Sequence, residues 1–257
     1  MRLSRVVSVA LGALATAALT VFPSGFSQAA VAEYVAMGDS YASGTGAGNY
    51  TDVACTRSAN AYPALWAAAN RPGAFKFVAC GGAQIPDVRS GQLSALTANT
   101  GLVSISIGGN DSGFASTMLR CKYLTTTSCQ RAVEDARGYV EGQLPSDLAS
   151  LYGEIRSRAP RAKVVVLGYP YLYETGGYCS EMNATKRQIL KDGADTLNNV
   201  IAAAARNAGF AFADARPAFA GHSICAAQEW IDPGNVHPNA AGHAQGYLPI
   251  LTAAAGS

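Results

Sequence analysis

Charge is scarce in this chain: only 14% of its 257 residues are Asp, Glu, Lys or Arg, and 19 basic residues stand against 17 acidic ones. There is no run of like charge. Binding to a nucleic-acid backbone or an anionic membrane needs a dense cluster of cations, so nucleic acid is excluded as a partner. Histidine is also scarce, at three, and no CxxC motif occurs, which leaves a structural zinc site without its usual spacing. No repeat, low-complexity tract or Pro/Ser-rich linker divides the sequence, so one domain with a sizeable core is expected.

After Phe22 no apolar run is long enough to span a bilayer. The one long run comes first: Arg2 and Arg5 precede an apolar stretch from Val6 to Phe22, and small residues lead to Ser27-Gln28-Ala29. That order is expected of a secretory signal peptide over residues 1–29, cleaved after Ala29 or Ala30, with an uncleaved anchor as the competing reading. Losing Arg2 and Arg5 would leave residues 30–257 with 17 basic and 17 acidic side chains. The mature product is expected to be secreted and extracellular, without stable membrane insertion, and to act as a monomer.

The sequence does contain six cysteines, at 55, 80, 121, 129, 179 and 225. In an exported chain these read as three disulfides, and spacing alone permits fifteen pairings. Sequential pairing is the choice made here. Cys121 with Cys129 would staple a short loop; Cys55 with Cys80 and Cys179 with Cys225 would each tie a long excursion to a loop near the candidate site.

Short apolar runs rich in β-branched or aromatic residues lie at 34–37, 75–79, 102–107, 163–167 and 210–213. They have the look of buried parallel strands. Helical stretches are expected at 62–70, 88–97, 144–158 and 186–207, with a last helix over 240–254 that Pro249 should bend or end. Strand–helix alternation implies an α/β sandwich with right-handed crossovers. In such sheets, sites collect beyond the carboxyl ends of the strands.

Four loops at those ends carry chemistry. Ser40 follows the first strand in Gly38-Asp39-Ser40. Gly82 follows the second in Cys80-Gly81-Gly82-Ala83, and Asn110 the third in Gly108-Gly109-Asn110-Asp111. His237 stands in Val236-His237-Pro238-Asn239, before the last helix. Taken singly, Ser40 could cap a helix, Gly82 serve a turn and Asn110 bond nearby backbone. Together they supply a hydroxyl nucleophile, a base and donors for an oxyanion.

The four blocks in order resemble the signatures of the SGNH (GDSL) hydrolases over almost the whole mature chain. The leader, the six cysteines and the His237-Pro238-Asn239-Ala240-Ala241-Gly242-His243 ending are similar to the secreted three-disulfide bacterial branch of lipases, esterases and phospholipases A1. The resemblance implies a three-layer α/β/α flavodoxin-like sandwich around a five-stranded parallel sheet. It also implies a serine carboxylic ester hydrolase that needs neither metal nor cofactor. Ser40 would be the nucleophile and His237 the base, with the oxyanion held by the Ser40 and Gly82 N–H groups and the Asn110 side chain.

One position departs from the pattern. The orienting aspartate usually stands three places before the histidine, where this chain has Gly234. Asp232 lies five before and could curl back to the imidazole, or a backbone carbonyl near Gly234 or Asn235 could take its place. The carbonyl is the reading preferred here. His243 is expected to bond locally, His222 to lie at the surface, and Asp39 and Asp111 to arrange loops. Residues 113–129 and the aromatics after the fourth strand, Tyr169 to Tyr178, could wall an acyl cleft. A carbohydrate deacetylase is the rival enzyme reading, and a non-catalytic extracellular binding protein the rival from another class.

Overall fold

Strands with no polar face cannot rest against water on either side, so they are expected to pair with one another in a layer covered by helices above and below. The computed structural model, which describes residues 32–256, has this arrangement. The first half runs β1 (Tyr34–Gly38), α1 (Ser40–Ser43), β2 (Tyr50–Asp52), β3 (Arg57–Ser58), α2 (Tyr62–Asn70), β4 (Phe75–Phe77), α3 (Ile85–Asp87), β5 (Leu102–Ser106) and α4 (Phe114–Tyr123). There follow α5 (Thr126–Gly142), α6 (Leu144–Arg158), β6 (Lys163–Leu167), α7 (Ala184–Asn207), β7 (Ala211–Ala213), α8 (Ala215–Ala218), β8 (Ile231–Asp232), β9 (His237–Pro238) and α9 (Leu248–Gly256). The expected signal peptide lies outside the described residues.

β4, β1, β5, β6 and β7 form one parallel sheet in that order. The chain leaves β1 first toward one edge and then returns to build the other side, so the strand order reverses between β1 and β5. Ligands of open parallel sheets bind at such a point, and the Ser40 and Asn110 loops flank it. α2 and α9 pack on one face, while α4, α5, α6 and α7 pack together on the other. All residues of β1 and β5 are buried. Their two serines are satisfied within the layer: Ser104 Oγ lies 2.7 Å from the Tyr34 hydroxyl, and Ser106 Oγ donates to Asp39 at 2.9 Å.

Three expectations about helices need correction. The stretch at 88–97 is a π-helical turn over Val88–Gln92 followed by a 3₁₀ turn over Leu93–Ala95. Wider winding suits Gln92, which bonds both backbone groups of Gly38, accepting at 2.7 Å and donating at 2.9 Å. Residues 113–129, where only the Cys121–Cys129 loop was expected, hold the whole of α4 and the start of α5, and neither helix was anticipated. The buried positions of α5, Cys129, Ala132, Val133 and Val140, form a narrow apolar stripe on a helix that is otherwise mostly polar. The last helix begins as a π segment, Gly242–Tyr247, and Pro249 sits in the first turn of α9, where a missing N–H is tolerated.

The structure pairs Cys55 with Cys80, Cys121 with Cys129 and Cys179 with Cys225, the sequential order. Closing the two longer loops contributes about 3 to 4 kcal/mol each in the chain-entropy picture.

Candidate active site

Gly38 ends β1 at φ +114°, and a Cβ there would stand 2.2 Å from the Ser106 carbonyl oxygen, so only glycine lets β1 and β5 meet this closely. The chain then turns sharply. Asp39 caps α1 by accepting from Tyr41 N–H at 3.0 Å, which leaves the hydroxyl of the next residue, Ser40, free of capping duty. Ser40 Oγ lies 2.8 Å from His237 Nε2 across 197 chain positions.

The ring orientation follows from its other nitrogen. His237 Nδ1 is 2.6 Å from the Asn235 carbonyl oxygen. A carbonyl only accepts, so the proton sits on Nδ1 and Nε2 offers its lone pair to the serine hydroxyl. Asp232 does not reach the ring. Its carboxylate accepts from Gly234 N–H at 2.7 Å and from Asn235 Nδ2 at 2.9 Å, which shapes the turn carrying that carbonyl. The turn needs Val236 at φ +58°, and Tyr41 donates to the Val236 carbonyl at 2.8 Å, linking it to α1.

Ser40, Gly82, Asn110 and His237 all line one open groove. Gly82 stands at φ +79°, a conformation that favours glycine, in a loop held by the Cys55–Cys80 disulfide and by Gly81 N–H donating to the Cys55 carbonyl at 2.9 Å. Asn110 Nδ2 donates to the Ala83 carbonyl at 3.0 Å, which orients the amide and leaves its second N–H toward other partners.

Below the site lies a network that no local motif announced. Asp39, 1% exposed, accepts from Ser106 Oγ and from the Tyr169 hydroxyl, and that hydroxyl accepts from Gly109 N–H at 3.1 Å. It joins the Ser40 turn to the Asn110 loop. Burial pushes the Asp39 carboxyl up to about 6, against the bonds that hold it down. Tyr169, read from sequence only as a cleft aromatic, is thus part of the support.

His243 does not bond locally as expected. It is fully buried, its Nδ1 accepts from Tyr62 N–H at 3.3 Å across 181 positions, and burial drives its pKa down to about 3. His222 is half-buried and stacks on Trp230 at 3.6 Å. Asp111 accepts from Ile85 N–H at 2.9 Å.

A second, mostly apolar cleft opens at Ser40. It runs between α4, α5 and α7, past Met118, Val133, Val140, Leu172, Leu190 and Leu197. A Cβ on Gly193 would come 3.0 Å from Val133 Cγ1, so glycine there keeps α5 and α7 close. Among the described residues no His, Cys, Asp or Glu cluster could hold a metal ion.

This fold and this site define a carboxylic ester hydrolase of the parallel α/β/α sandwich type. The chain belongs to the GDSL-like lipase/acylhydrolase family, whose model matches residues 36–245. It is 46% identical to Lipase 1 of Streptomyces coelicolor, over 96% of this chain and 95% of that one. A solved phospholipase A1 from Streptomyces albidoflavus superposes with a TM-score of 0.85 at 45% identity, covering 87% of this chain and 99% of its own. The extracellular lipase of Streptomyces rimosus gives 0.84 at 44%, covering 86% and 99%.

Two expected results bear on the base. Burial holds the His237 imidazole below its usual 6.5, against the Asn235 carbonyl and the Asp232 charge, which both favour the cation. With His237 as the expected base its neutral ring would be the competent form, so kcat/KM should rise with pH through a midpoint below 6.5 and hold its plateau into mildly acidic buffer. A midpoint at or above 6.5 contradicts this. Asp232→Asn removes a distant negative charge and no ring contact. It should retain hydrolysis to within about ten-fold and move the same limb further down; steady-state rates on a short acyl ester showing a thousand-fold loss would overturn the carbonyl assignment.

Proposed function

We propose that the chain is a secreted, monomeric lipid acyl hydrolase that works through an acyl-Ser40 intermediate. Ser40 Oγ attacks the ester carbonyl carbon while its proton passes to His237 Nε2. The tetrahedral oxyanion is held by the Ser40 and Gly82 N–H groups and the Asn110 amide. Collapse breaks the bond to the leaving alcohol, which takes the proton from His237. Water then attacks the acyl-enzyme, again giving its proton to His237, and the acid leaves as Ser40 recovers its own. The Asn235 carbonyl keeps the ring in the tautomer both halves need but adds no negative charge beside the imidazolium, so turnover should be moderate.

The observation that carries the lipid reading is the apolar cleft that begins at Ser40 and runs past Met118, Val133, Leu172 and Leu197. A long acyl chain would bury methylenes against those side chains, each contributing about 0.8 kcal/mol, whereas an acetyl group would reach few of them. The names of the similar chains, lipases and a phospholipase A1, agree. Export is supported by the three disulfides and the Arg2-led leader, and a monomer by a site assembled wholly within one chain. Rates across acyl lengths on one leaving group test the reading. Medium or long chains should exceed acetyl by at least about ten-fold in kcat/KM; a preference for acetylated sugars would favour the deacetylase instead.

A further inference from the structure

The oxyanion donors proposed above ride on three loops, so the links between those loops decide whether the donors converge. Two links lie beside the groove. Cys80 N–H donates to the Gly38 carbonyl at 3.0 Å, which ties the Gly82 loop to the Ser40 turn. Asn110 Nδ2 donates to the Ala83 carbonyl, and Gln84 Nε2 donates to the Asn110 carbonyl at 3.1 Å, which tie the Asn110 loop to the Gly82 loop. The third link, between the Ser40 turn and the Asn110 loop, runs underneath through one hydroxyl. Tyr169 Oη donates to Asp39 Oδ2 and accepts from Gly109 N–H at 3.1 Å. Asp39 immediately precedes Ser40, and Gly109 immediately precedes Asn110. Among the described residues no other side chain bonds both turns.

That hydroxyl is itself held in place. Asn198 of α7, fully buried, accepts from Tyr169 N–H at 2.8 Å and donates to the Tyr169 carbonyl at 2.9 Å, which clamps the backbone from the helix layer. The Tyr169 ring meets Tyr41 edge-on with centroids 5.1 Å apart. A Cβ on Gly109 would stand 3.1 Å from the Tyr169 hydroxyl oxygen, so the missing side chain there makes room for the bridge. Burial and the Asp39 charge hold the phenol far above its ordinary range, so it keeps the proton it donates. Packing alone would be served equally well by phenylalanine. Tyr152 gives the contrast: its hydroxyl is as deeply buried and has no hydrogen-bond partner.

We propose that Tyr169 is a positioning residue for ester hydrolysis, its hydroxyl setting the distance between the Ser40 nucleophile and the Asn110 amide. The proposal rests on the acyl-serine reading above. Without the bridge the Asn110 loop is loose on its Ser40 side, and a misplacement of about 1 Å at a reacting centre costs on the order of a hundred-fold. Kinetics on a dissolved acetyl ester test it, since so short an acyl group depends little on the apolar cleft whose wall Tyr169 shares. Tyr169→Phe should lower kcat about ten- to a hundred-fold with KM within about two-fold, while Tyr152→Phe should keep kcat within about two-fold. Because Tyr169 acts through Asn110, adding Tyr169→Phe to Asn110→Ala should cost less than about three-fold more. Gly109→Ala crowds the hydroxyl from the opposite side. It should reproduce the loss, and it carries the same test, alone and with Asn110→Ala, if the phenylalanine variant does not fold. Parental kcat in Tyr169→Phe, a loss confined to KM, or full multiplication of the two losses in the Asn110→Ala background overturns the proposal. If the coupling is found but Ser40→Ala stays active, the acyl-serine reading fails and the Tyr169–Asn110 link stands.

Discussion

Ser40→Ala is expected to reduce ester hydrolysis by roughly a million-fold, the scale reached when a nucleophilic serine or its histidine is removed from such a pair. His237→Ala should cost about as much, and the double variant little more, because each half is inert without the other. The expectation rests on the 2.8 Å contact between Ser40 Oγ and His237 Nε2, with no other histidine placed to substitute. His243 is buried against Tyr62 and held neutral, and His222 is stacked on Trp230. Labelling with an organophosphorus ester checks the same point independently: the parent should take up one adduct on Ser40 and the alanine variant none. Turnover by folded Ser40→Ala protein above about 1% of the parent would sink the acyl-serine mechanism, since water activated by His237 alone supplies far less.

Asn110→Ala should lower kcat by about a hundred- to a thousand-fold, equivalent to ~3 to 4 kcal/mol of transition-state stabilisation, with KM nearly unchanged. The bond to the Ala83 carbonyl at 3.0 Å uses one amide proton for orientation, and in the oxyanion role proposed above the other would meet charge that develops only as the tetrahedral species forms. Asn110→Asp sharpens the test. It keeps the shape but places an acceptor where the oxyanion needs a donor, so it should be at least as damaging as alanine. A fall confined to KM, in either variant, would mean that Asn110 holds the substrate and not the oxyanion.

Much of the site was legible because its parts are backbone-bound. Ser40, Gly82 and Asn110 each stand in a turn after a strand of the sheet, so a strand pattern and a turn signature locate them without any knowledge of side-chain packing. The sheet was legible for a related reason: in runs such as Lys163–Leu167 the four residues after the lysine are all apolar, and they are all buried. α5 was hidden, since its packed face is a narrow stripe of one cysteine, one alanine and two valines on a mostly polar helix. The π turn at Val88–Gln92 was hidden too, because its winding answers to Gly38, 54 positions from Gln92. His243 misled for the same cause: the neighbour that matters, Tyr62, is near only in space.

From its residues alone this chain could be known as an α/β sandwich with a serine, a histidine and two oxyanion candidates at one sheet edge, because local spacing governs strands, turns and the chemistry they carry. The choice of Asn235 over Asp232 as the group that orients the imidazole belonged to the folded molecule. A left-handed Val236 and two hydrogen bonds to Asp232 turn one carbonyl toward the ring and the carboxylate away from it. Direction of that kind is set by contacts between distant segments, Tyr41 on Val236 among them, and leaves no periodic trace along the chain.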